Sequence, residues 1–183
     1  MADFYLRRSS AKWGVGRMVG LIESLEAAKK ISEVVSALSS AGSEVRQQAD
    51  KSQARRFVRY LRAIYFTPRG TLNVLTKLSE GIEPDTADLA NTLADFNDAE
   101  WEVERITSRM QFNENYTGGL SLRVRRTLQE ISWGKIDLRR RLQQELNEPL
   151  TFGRGVDPGR AHVLLKKLQD LNLKIEALEE EFL

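Results

Sequence analysis

From Ala161 to Phe182 the positions Ala161, Leu164, Leu168, Leu171, Ile175, Leu178 and Phe182 recur at steps of three and four without an error. That mean repeat places every one of them on a single stripe of an α-helix and on no single face of a strand. A stripe of that length must be buried against something. Two uses fit it: one wall of the chain's own helical bundle, or the a and d positions of a coiled coil, which makes a homodimer through the C-terminal helix the second use. The stripe itself contains no Asn or Lys to fix a register, and Leu165 and Leu173 lie off it and widen the apolar surface.

The rest of the chain carries the same period between few breakers. Residues 1–12 read as an N-terminal arm that Phe4, Tyr5 and Leu6 tether to a single domain over 13–183. A first helix is predicted from about Trp13 to Ala41, on Met18, Leu21, Leu25, Ala28, Ile31, Val35 and Leu38, with Gly42 as its stop. A second runs from Ser43 to Phe66, with Phe57, Val58, Leu61, Ile64 and Tyr65 as its apolar face, and Thr67-Pro68 breaks it. Pro68 opens a short helix ending before Gly81. Asp85 or Thr86 caps a third long helix with two apolar stripes, one from Leu89 to Met110 and a weaker one through Ala87, Ala90, Ala94 and Trp101. A fourth is predicted from Ser121 to Asn147, ended by Pro149. Asp157, followed by Pro158, caps the last. No segment sustains period-two alternation, so the expected fold class is all-α: an elongated antiparallel helical bundle of about five long helices and one short one.

The composition removes whole classes of chemistry. With no Cys there is no disulfide, thiolate nucleophile, zinc–thiolate site or iron–sulfur cluster. One His leaves neither a base for a nucleophilic triad nor the paired Glu-x-x-His ligands of a di-iron bundle. His162 reads as a surface residue of the last helix's first turn. No catalytic residue, cofactor or metal site is expected. No apolar run reaches the ~20 residues of a membrane span, and the opening residues lack the order of a secretory signal, so the expected location is cytoplasmic.

Charge is nearly balanced overall, at +2, but it is segregated. Residues 1–70 carry 13 Lys and Arg against 6 Asp and Glu, and residues 71–120 carry 3 against 10. A milder basic excess follows over 121–160, then a mild acidic one. Such alternation predicts consecutive helices lying against one another, the second on the third and the fourth on the last. The Gly-rich turn from Gly153 to Arg160 fits no phosphate-loop spacing, and the Asp157 carboxylate occupies the place an anion would take.

Two surfaces remain as candidate partner-binding sites. Lys51, Arg55, Arg59 and Arg62 fall on one arc of the second helix, away from its apolar face. On the fourth helix Trp133 points away from Leu128, Ile131, Leu138 and Leu142, with Arg126 and Arg140 seven residues to either side. An aromatic flanked by arginines has the composition of an interface anchor; a second buried face would place Trp133 in the core instead. The expected function is non-catalytic protein–protein interaction, as an adaptor, accessory subunit, inhibitor or immunity-type protein, with an acidic partner surface as the match for the basic arc; the alternative is a nucleic-acid-binding module using the basic faces of the second and fourth helices.

Overall fold

The structure, a computed structural model, describes residues 20–40, 51–92, 126, 130 and 137–182. The described residues are predominantly helical and contain no strand, so the all-α class holds. Helix α1 spans Ile22–Ser40, α2 Lys51–Tyr65 and α3 Arg69–Ser79. Helix α4 is described over 86–92. Helix α5, Leu138–Leu142, runs into a wider π turn, Gln143–Asn147, and a last α turn, Glu148–Thr151. Helix α6 spans Pro158–Phe182.

Helix α6 is the centre of the fold. Ala161, Leu164, Leu168, Leu171, Ile175 and Leu178 are fully buried, and α1, α2 and α3 all pack against this helix. They bring Ala28, Ile31 and Val35 from α1, Leu61 and Tyr65 from α2, and Val74 and Leu75 from α3 into one core cluster. The stripe is therefore spent inside the chain. From Ala161 to Leu178 its side chains line the chain's own bundle, the first of the two uses such a stripe allows.

The bundle is not antiparallel throughout. Arg160 of α6 reaches the Gly20 carbonyl at the start of α1, Lys174 donates to Ser32, and Ser39 donates to Glu181. Both sequences advance together along these contacts, so α1 and α6 lie parallel. Helix α2 runs the opposite way along α6, because Arg62 pairs with Glu179 and Thr67 with Asn172.

Helix α1 begins at Ile22 rather than Trp13. Gly20 and Leu21 are not helical, and Leu21 holds φ at +49° with its side chain fully buried. A side chain with a Cβ rarely adopts that region, so burial must hold it there. The fourth predicted helix is also interrupted. Residues 126 and 130 are helical, but Asp137 is extended and accepts a hydrogen bond from the Arg140 N–H, restarting the chain as α5. Pro149 does not end the helix. Its ring would press on the Glu145 carbonyl four residues back, and that carbonyl lies in the π turn, where the wider winding makes room.

The remaining ends follow the sequence closely. Gly81 (φ +72°) closes α3, with hydrogen bonds from the Gly81 N–H to the Leu78 carbonyl and from the Ile82 N–H to the Lys77 carbonyl. Gly153 (φ +66°) repeats the pattern after Thr151. Both positions use the conformation a glycine adopts at no steric cost. Asp85 caps α4 and Asp157 caps α6, as the sequence predicts. The N-terminal arm, the first stripe of the third predicted helix beyond residue 92 and Trp133 lie outside the described residues.

Candidate interaction surface

Helix α2 turns Val58, Leu61, Ile64 and Tyr65 inward. At 100° per residue its basic arc starts beside this apolar face and runs outward, rather than lying behind it. Position along the arc decides what each arginine does. Arg62, nearest the core edge, forms an ion pair with Glu179 of α6, and its guanidinium lies over the Phe66 ring, 4.6 Å from the centroid. It is thereby committed within the chain. Arg59 and Arg55, farther round, are exposed, and Arg55 also has an interaction of its own. Lys51 is the first residue of the helix.

The second candidate surface is described only at its two ends. Arg126 is exposed on a helical residue, and Arg140 is exposed on α5, but the break at Asp137 separates them. The seven-residue spacing aligns residues only along a continuous helix, and Trp133, the centre of the Arg126–Trp133–Arg140 arc, lies outside the described residues.

Ion pairs among the described residues run to α1 and α6, while most of the third and fourth predicted helices lies outside those residues. Arg62 of α2 finds its acid on α6. Glu130 of the fourth predicted helix stands 3.9 Å from Lys30, and Arg141 of α5 bonds Glu23 at 3.0 Å, so these acid–base contacts run to α1.

Three polar arrangements escaped the sequence reading. The Glu145 carboxylate, from the π turn, accepts from the Glu23 N–H at 2.9 Å and the Ser24 N–H at 2.8 Å, capping α1 from another element. Asn172, buried on α6 beside the stripe, accepts from the Thr67 N–H at 2.8 Å and donates to the Thr67 carbonyl at 2.9 Å. A buried asparagine thus does fix the register of α6. Its signal was present as a polar residue next to the apolar stripe, but its partner is a backbone, which no residue pattern marks. Lys77 of α3 bonds Asp88 at 2.5 Å and stands 3.6 Å from Asp85. At the start of α4 the Asp85 N–H donates to the Asp88 carboxylate, and the Asp88 N–H to the Asp85 carboxylate. The hydrogen bond to Asp88 raises the Lys77 pKa. The same bond, with that from the Asp85 N–H, lowers the pKa of Asp88.

Leu165 joins the core, while Leu173 is exposed. His162 is exposed on the first turn of α6. Among the described residues no group of three or more His, Asp or Glu is placed to hold a metal ion, and no helix is long and apolar enough to cross a membrane. Comparison with family models, curated proteins and solved structures gives no match.

Proposed function

We propose that the protein works without catalysis by binding another protein, and that the outer face of α2 receives an acidic surface of that partner. One observation carries the reading: Arg59 stands exposed, one turn after Arg55, on a helix whose inner face is committed to the core. A helix so anchored presents its cations in a fixed geometry, which reduces the ordering cost of binding. Arginine forks suit carboxylates, and complementary charge accelerates encounter. A nucleic acid would also meet the cations, but single strands favour stacking platforms, and the Phe66 ring is taken by Arg62.

The test uses the full chain as bait in an extract of its native host, beside the double variant Arg55→Glu, Arg59→Glu. The expected result is a protein retained at fixed stoichiometry, released by salt and lost with the variant, while the variant's melting temperature changes little. Retention abolished by nuclease would move the reading to nucleic acid. A partner held equally by both forms would remove α2 from the interface.

A further inference from the structure

Opposite its buried stripe, α6 carries a second, sparser pattern. Leu173 is 65% exposed at the middle of that outer face. Lys166 and Glu180 lie seven residues to either side of it, and at 100° per residue both fall within about 20° of its direction. Both are exposed, and neither has an ion-pair partner within the chain among the described residues. Gln169 and Ala177, four residues to either side, are exposed and uncharged. The face therefore reads Lys, Gln, Leu, Ala, Glu, with opposite charges at equal distances from an apolar centre.

We propose that this face binds a second copy of the chain, α6 against α6 in antiparallel orientation, with a two-fold axis through Leu173. The symmetry is what favours this occupant. A two-fold interface must be complementary to itself, and antiparallel pairing about Leu173 sets Lys166 of each copy beside Glu180 of the other. Leu173 meets its own equivalent. The acids nearest the centre do not oppose this. Asp170 and Glu176 lie about 60° to opposite sides of Leu173, so the two-fold places Asp170 near Ala177 and Glu176 near Gln169 of the second copy. Asp170 is in addition neutralised by Lys174, 2.9 Å away on the same helix. The interface is narrow, with one leucine per copy at its centre, so the dimer is a weak one that forms at high protein concentration and low salt. It leaves the outer face of α2 unused and does not depend on the partner proposed there.

Sedimentation equilibrium of the full chain, up to millimolar concentration and at two salt levels, tests it. The expected average mass rises with concentration from 20.9 kDa towards twice that value, less so in high salt. By symmetry each substitution acts twice, so Lys166→Glu alone and Glu180→Lys alone should each weaken association at least tenfold. The double variant Lys166→Glu, Glu180→Lys should restore it to within about threefold, and Leu173→Glu should abolish it. Circular dichroism checks that each variant keeps its helix content, with Leu173→Gln replacing any glutamate variant that does not. A mass fixed at the monomer value overturns the proposal. So does association that ignores Leu173 or is not restored by the double swap.

Discussion

Arg59 and Arg62 are the same residue type on one arc of one helix, and the difference between them is about 60° of rotation. That rotation brings Arg62 to Glu179 and the Phe66 ring and leaves Arg59 exposed. Lys77 and Asp88 show what such a meeting does to titration. Asp88, ordinarily ionising near 3.8, is held lower by hydrogen bonds from Lys77 and the Asp85 N–H. A depressed carboxylate contributes stability above its unfolded pKa, and the contribution is lost as pH falls through the folded value. Lys77 is raised above 10.5, so its share is present below that value and fades as pH rises through the folded one. The contact between α3 and α4 should thus hold across neutral pH and weaken at both extremes. Carboxyl resonances followed by NMR should place the Asp88 midpoint below 3.8, and Lys77→Met should move it upward. An unchanged midpoint in the variant would mean that Lys77 does not stabilise the ionised form.

Among the elements, α1 depends most on a residue remote in sequence. Helical periodicity runs through Met18 and Leu21, and nothing in the pattern marks an end there. The start at Ile22 is set by Glu145, whose two oxygens take the N–H groups of Glu23 and Ser24. A carboxylate at a helix N-terminus satisfies unpaired donors and opposes the positive end of the helix dipole. Glu145→Ala should therefore cost about 1–2 kcal/mol, in the range of losing a good N-cap. Hydrogen exchange should accelerate at the Glu23 and Ser24 amides ahead of the middle of α1. Equal protection in both proteins would show that water serves these donors as well as Glu145 does.

In the whole molecule, α6 is the common wall on which α1, α2 and α3 meet, and Asn172 ties it to the turn between α2 and α3. The Thr67 backbone is buried there, so removing the amide leaves a donor and an acceptor without partners. An unsatisfied buried polar group costs about 1–3 kcal/mol. Asn172→Ala should lower the unfolding free energy by about 2–4 kcal/mol on that basis. Because α1, α2 and α3 all pack on α6, the loss should appear as one earlier cooperative denaturant transition. A change below about 0.5 kcal/mol would mean that the turn relaxes and its backbone reaches water.

Fold class, the extent of α6, the short third helix and the caps at Asp85 and Asp157 were all legible in the residues, because each rests on contacts within a few positions of the chain. An apolar step of three or four and a carboxylate three residues before an N–H are local facts, and they act the same way in any helical protein. The parallel course of α1 beside α6, the cap from Glu145 and the capture of Arg62 were not legible. Each depends on groups more than a hundred residues apart, or on how two helices rotate about their axes as they pack. A sequence records which side chains share a face. Which of those faces meet is settled when the bundle closes, since only then does a buried donor, an arginine or a helix end acquire a definite neighbour.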